Sequence, residues 1–336
     1  MKFTGTPCWN QTLAAMLLIP LCGALPACAQ RQQAVEAAPM TAPPDAAASA
    51  ALNTRVTALV QRIKSELRFL RGGTFDMGDW GNAQGLPYES EPDARPLHKV
   101  TLDGFSMMAY KVTYDDFDLF TDVVGQPRIN QDSFGLKQRA PRKPATVNWF
   151  GAKAFCEWLG KHSGLPFDLP TEAQWEYAAR SGGKRVLFAT DNGKVDDGRN
   201  YPSEDLKDRR TPDIGSYPPN PAGFFGMLEL RSTEWTQDWY DPEYYQRSPK
   251  MNPKGPDAGT PDERFPQLGP QRVARGLIGS SPAFGGFVFS RAGRWPLKRD
   301  IRNLDVPSLV TDPALGFSHS TGSQIRCVLN QSSPAL

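Results

Sequence analysis

The sequence predicts a loop-rich α+β fold with few long elements. The chain carries 31 prolines and 30 glycines, too many for a helical bundle. Its clearest helical periodicity comes as two short stretches between residues 144 and 183, joined by a strand-like turn. No tandem repeat is visible, and after the N-terminal leader no apolar run is long enough to cross a membrane. About 300 residues follow that leader, enough for one large domain with a substantial core. The 38 basic and 36 acidic residues leave a net charge of +2, a near-balance that argues against a nucleic-acid partner.

Residues 1–27 read as a signal peptide. Lys2 opens a weakly positive start, and residues 13–25 form the apolar region. Leu25-Pro26-Ala27-Cys28 has the shape of a lipobox, which would leave a lipid-modified Cys28 as the new N-terminus. Ala27-Cys28-Ala29 is also an A-x-A site that would release a soluble chain. The lipoprotein reading is preferred, with Gln30 rather than Asp following Ala29. Either route delivers the body outside the cytoplasm, so the expectation is a periplasmic protein anchored to the outer membrane by its N-terminal lipid alone. Residues 28–51 are rich in Ala, Gln and Pro and form no core pattern, as expected of a disordered tether. Residues 52–70 predict an accessory helix, with Leu52, Val56, Leu59, Val60, Ile63 and Leu67 along one stripe. That stripe docks on the domain or, in a second reading, on a partner.

The main domain is expected over 71–330. Residues 96–102 alternate like an edge strand, and a helix follows over 114–123. Trp149, Ala152, Phe155, Cys156 and Leu159 share one helical face, ended by Gly160 and Gly164. Thr171 and Gln174 form a capping box ahead of Trp175, Ala178 and Ala179, and Gly182-Gly183 stops that helix.

The literal strings NWFGAKAFCEWLG and LPTEAQWEYAARSGG within that helix pair resemble the formylglycine-generating enzyme, or sulfatase-modifying factor, family. Other motifs follow in family order from about residue 70 to 329: RGGTFDMG from Arg71, PLHKVTL from Pro96, IGSYPPN from Ile214, EWTQDW from Glu234, NPKGP from Asn252, RVARG from Arg272 and SRAGR from Ser290. Leu315-Gly316-Phe317 and Arg326-Cys327-Val328 resemble a GFRCV ending split by an insertion. The resemblance implies a compact, irregular single domain of the C-type-lectin-like type.

In the resembled enzymes a disulfide can join the positions of Cys156 and Cys327, and an oxidising compartment would permit it. The other reading is two buried thiols acting as small hydrophobes. The resemblance also implies Cu(I) held by two thiolates just after the RVxRGGS strand. Here residues 272–287 contain no Cys, His or Met, and the hydroxyls of Ser280 and Ser281 are poor Cu(I) ligands. Copper is therefore not expected. Related iron enzymes use a His-rich site, but His98, His162 and His319 are scattered.

The calcium-binding motif of the family is altered too. Its Gly-Asn pair is missing from residues 226–235, and Arg231 brings a cation there. Elsewhere, ahead of the helix at 114–123, Lys111 stands where the family usually has Glu. Asn200, the Tyr201 carbonyl and Asp213 make only an incomplete calcium set. No serine-hydrolase elbow, H-E-x-x-H or phosphate-binding loop is present.

Function is therefore expected from a surface, with no catalytic residue assigned. Candidate contact residues are Trp239, Tyr240, Tyr244 and Tyr245 in an aromatic loop, together with Phe265 and Phe284. The insertions 260–271 and 318–324 are expected near the altered copper cleft. The leading expectation is a non-catalytic envelope binding lipoprotein with a protein partner. One form is an immunity protein that neutralises a secreted antibacterial effector, such as a periplasmic lipase. The alternative is a periplasmic metal-dependent oxidase of the formylglycine-generating or siderophore-maturation type. A structural envelope protein is a third reading.

Overall fold

The computed structural model describes residues 46–203, 211–230, 232–296, 316–319 and 322–334. The expected signal segment, Cys28 and Arg231 lie outside the described residues.

Helix α1 is Ala46–Glu66. Its start lies inside the stretch expected as tether, and its end falls short of the expected Leu70. Leu67–Leu70 instead forms strand β1, paired antiparallel with β4, Phe105–Met108. The stripe Val56, Leu59, Val60 and Ile63 is buried, so α1 docks on its own domain. Gly73–Met77 (β2) and His98–Leu102 (β3) make a separate antiparallel pair. Helix α2, Tyr114–Val124, starts on a capping box between Thr113 and Asp116, and the short α3 is Gly135–Gln138.

Helix α4 runs Trp149–Ser163. Gly160 does not end it; Gly164, in the left-handed region at φ 68°, does. Gly160 serves a close approach, because a Cβ there would stand 3.1 Å from the Leu165 carbonyl oxygen. Phe167–Asp168 is β5. Helix α5, Glu172–Ala179, has the expected capping box, with Thr171 Oγ1 accepting from the Gln174 amide and Gln174 Oε1 from the Thr171 amide. Thr233–Trp239 (β6), Arg272–Gly276 (β7) and Arg291–Arg294 (β8) form a three-stranded antiparallel sheet in that order. Val328–Leu329 is β9, which lies between β4 and β5 in the sheet β1-β4-β9-β5.

This four-stranded sheet separates two apolar cores. Side chains alternate across a strand, and here neighbours divide accordingly. Met108 and Leu329 join a core with α1, α2 and α4, while Met107 and Val328 join one with β2, β3 and α5. Cys156 on α4 and Cys327 beside β9 are joined by a disulfide, with Cα atoms 5.6 Å apart, and both are fully buried in the first core.

Candidate functional site

Strand β7 ends at Gly276, and the chain turns back on itself over residues 277–287. The Leu277 amide donates to the Ser232 carbonyl (2.9 Å), and Ile278 donates to Gly285 (2.8 Å). Gly279 must be glycine, because a Cβ there would fall 1.6 Å from the Phe284 carbonyl oxygen. This loop forms one wall of a cavity of about 280 Å³. Thr233, Gly322 and Arg294 contribute further lining, and Tyr114, Phe134, Gln138, Pro144, Thr146 and Thr211 complete it. The altered copper stretch and the second insertion are thus brought to one cavity.

The wall opposite is held by Asn130, which is fully buried. Its amide nitrogen Nδ2 donates to Tyr114 Oη (2.9 Å) and to the Thr146 carbonyl (2.8 Å). Its backbone N–H donates to Ser318 Oγ (2.8 Å), tying the insertion to the same wall. On the other side Val147 bridges to both Ser318 and Ser323.

Arg294 is the one charged residue among the described lining residues. No carboxylate of the described residues lies within ion-pair distance of it, and its Nε is buried without a hydrogen-bond partner. Burial alone pulls its pKa below the ordinary value. The residues of β8 place it there: Arg291 and Arg294 are three apart, so a strand turns them to opposite faces. Arg272, opposite Arg294 in the ladder, stacks instead between Trp149 (3.9 Å) and Trp239 (3.3 Å). Burial pulls its pKa down to about 10.

On the other face of the sheet lies a buried charge network. Glu172 accepts from Arg291 Nε (2.6 Å), Arg291 Nη2 (2.9 Å) and Arg275 Nη1 (2.9 Å). Glu176 accepts from Arg275 Nη2 (2.9 Å), Arg180 Nη1 (2.9 Å) and the Gly78 amide (3.0 Å). Burial pushes the Glu172 carboxyl up, but Arg291 and Arg275 outweigh it and hold its pKa below the ordinary value. Glu234 accepts from Arg326 and from Trp175 Nε1. These motif residues therefore hold the scaffold together.

Asp238 accepts the Glu172 backbone N–H (2.8 Å) and faces no cation at hydrogen-bond distance. Burial first, and the Glu172 charge second, push its pKa up to about 8 from 3.8. Between those values the folded protein binds a proton that the unfolded chain releases, so Asp238 makes stability fall as pH rises from about 4 to about 8. Asp238→Asn is expected to flatten the decline in unfolding free energy between pH 5 and pH 8 while keeping an acceptor for the Glu172 amide. Parallel pH–stability curves for the variant and the parent would refute this.

The sequence-derived candidates separate. Tyr244 and Tyr245 are 6% and 2% exposed, and the Tyr245 hydroxyl donates to Glu172. Their rings pack the core and offer no contact surface. Trp239 and Tyr240 are half-buried, with Tyr240 Oη donating to Asp93 (2.7 Å). Phe265 and Phe284 are exposed, at 37% and 73%. Phe265 rests edge-on against Trp295, next to Arg294. Phe134, not singled out in the sequence, lines the cavity and is 45% exposed.

Asn200 and Asp213 do not share a partner. Asn200 Nδ2 donates to Asp191 and to the Lys194 carbonyl, while Asp213 lies 3.4 Å from Lys143 Nζ. Beside residues 226–235, Lys111 Nζ donates to Glu229 (2.7 Å) and Ser232 (2.5 Å), all three buried; Arg231, the cation expected there, lies outside the described residues. Among the described residues no group of three or more His, Cys, Asp or Glu could hold a metal ion.

An α+β scaffold with small antiparallel sheets, a long-range disulfide and a polar cavity beside the RVARG strand defines the class. A family model for the sulfatase-modifying factor enzyme 1-like domain matches residues 56–290, and the chain belongs to that family. The chain is 31% identical over 219 residues to the serine/threonine-protein kinase pkn1 of Chlamydia pneumoniae, covering 59% of this chain and 32% of that protein. It is 28% identical over 242 residues to the formylglycine-generating enzyme of Mus musculus, covering 56% and 61%. The chain thus spans about a third of the kinase-named relative and less than two thirds of the mouse enzyme. The structure of PvdO from Pseudomonas aeruginosa has the same fold, with a TM-score of 0.55 at 22% identity, over 79% of this chain and 94% of that one.

Proposed function

We propose that this protein is a non-catalytic binding protein of the bacterial envelope, held at the outer membrane through a lipid on Cys28. The observation that carries this reading is the cavity lining. In the stretch where the resemblance places copper thiolates, the chain presents Leu277, Ile278 and Gly279 to the cavity, and Arg294 lines the same cavity from β8. A guanidinium repels Cu(I), and this lining offers it no thiolate. Cys156 and Cys327 are joined to each other, which leaves neither as a ligand. The exposed rings of Phe134 and Phe284 supply the apolar contact area that protein interfaces use.

The concrete form is an immunity lipoprotein that neutralises a secreted antibacterial effector, such as a periplasmic lipase. Kinase activity is not carried over from the kinase-named relative, because the match spans about a third of that protein and this sequence has no phosphate-binding glycine loop. The test is metal and thiol analysis of protein purified from periplasm, together with protection of cells that secrete a neighbouring toxin. Substoichiometric copper and iron, no free thiol and protection are expected. Stoichiometric copper or iron with oxygen uptake on cysteine peptides or siderophore precursors overturns the reading in favour of a periplasmic oxidase.

A further inference from the structure

We propose that the cavity beside β8 is a carboxylate-binding site, with Arg294 as its anion-recognising group. The proposal rests on the binding reading above and names the ligand chemistry of its surface. A guanidinium that loses water is ordinarily paired, because burying an uncompensated charge is costly. The fully buried arginines of this fold follow that rule: Arg275 and Arg291 meet Glu172, and Arg326 meets Glu234. Arg294 is half-buried and has no carboxylate partner within the described residues; its Nε is buried without a partner, and a cavity of about 280 Å³ lies beside it.

The lining decides what kind of anion fits. Among the described residues it holds one cation and no acidic side chain, so a single negative charge is balanced there and a doubly charged phosphate is not. A planar carboxylate matches the guanidinium fork in two parallel hydrogen bonds. Pro144, Leu277 and Ile278 provide apolar surface for the short carbon chain behind it. Phe134, at the cavity and 45% exposed, is placed to meet whatever carries the carboxylate. The source is either an acidic side chain of a partner protein or a free small carboxylate.

The probes are propionate, propionamide, inorganic phosphate and a blocked Leu-Glu-Leu peptide, titrated into the folded full domain. The readout is the arginine Nε–H signals in nitrogen-15 NMR spectra. Propionate is expected to shift one signal saturably, and that signal is the one missing in Arg294→Lys. Propionamide is expected to leave it unmoved. Arg294→Gln is expected to weaken propionate binding by about tenfold or more, with Arg294→Lys intermediate and both variants keeping the parent thermal transition. If Arg294→Gln fails to fold, the parent titration and Arg294→Lys decide alone.

The absence of a saturable propionate response overturns the proposal, as does phosphate binding as tightly as propionate. So does a response that Arg294→Gln leaves intact. Peptide binding tighter than propionate, with the gain lost in Phe134→Ala, assigns the carboxylate to a protein partner. Propionate binding with the peptide excluded assigns it to a small molecule. Protection by the protein without any propionate response would leave the binding function standing and remove only this site.

Discussion

Replacing Glu172 by Gln is expected to cost about 3–5 kcal/mol of folding stability, the range for breaking a buried ion pair by removing one partner. Both oxygens of Glu172 are used, by Arg291 and by Arg275, and all three side chains are at most 2% exposed. Gln keeps the shape and one acceptor but leaves two guanidiniums with less charge compensation in a dry site. Against a typical total of about 5–15 kcal/mol, the loss should be plain in a denaturant titration. Glu157→Gln is the control. Its carboxylate is 53% exposed and lies 3.4 Å from Lys153, so its removal should change stability by less than about 1 kcal/mol. A Glu172→Gln midpoint equal to that of the control would show that the network is not what holds β7, β8 and α5 together. Because Arg291 and Arg275 keep the Glu172 pKa below 4.5, its stabilising contribution is present above that value and lost as pH falls below it.

The second large effect is the disulfide. Cys156 and Cys327 are 171 residues apart, and closing a loop of that length is worth about 5 kcal/mol in the chain-entropy model, with measured values scattering from about 2 to 5. The double substitution Cys156→Ala/Cys327→Ala is expected to lower the unfolding free energy by an amount in that range. The two sulfurs sit in the core shared by α1, α2 and α4, so part of the loss is packing. Reduction of the parent protein breaks the S–S bond but leaves both sulfurs in the core as thiols, and so separates the two parts. If reduction leaves the denaturation midpoint unmoved, the cross-link contributes nothing and the core alone fixes β9 against α4.

Much of the scaffold was legible in the residues. Thr171 and Gln174 announce the start of α5, because a capping box is satisfied within four consecutive residues. The heptad-like stripe from Val56 to Ile63 announces a docking helix, because helical periodicity is local. Its end was not legible. Residues 67–70 continue an apolar pattern that suits either helix or strand, and pairing with Phe105–Met108 decided for strand. Tyr244 and Tyr245 read as a binding loop because aromatic residues suit both interfaces and cores. Tyr245 is held in the core by contacts with His98 and Glu172, far away in sequence.

The sequence by itself determined the family, the two-cysteine inventory of the domain and the absence of thiolates in residues 272–287. Those are matters of residue identity and order. Only the tertiary structure decided that Arg275 and Arg291 are neutralised while Arg294 meets no carboxylate among the described residues. It also brought residues 277–279 and Gly322 to one cavity wall. A charge's partner is set by which strands and helices converge on it, and no local pattern records that convergence.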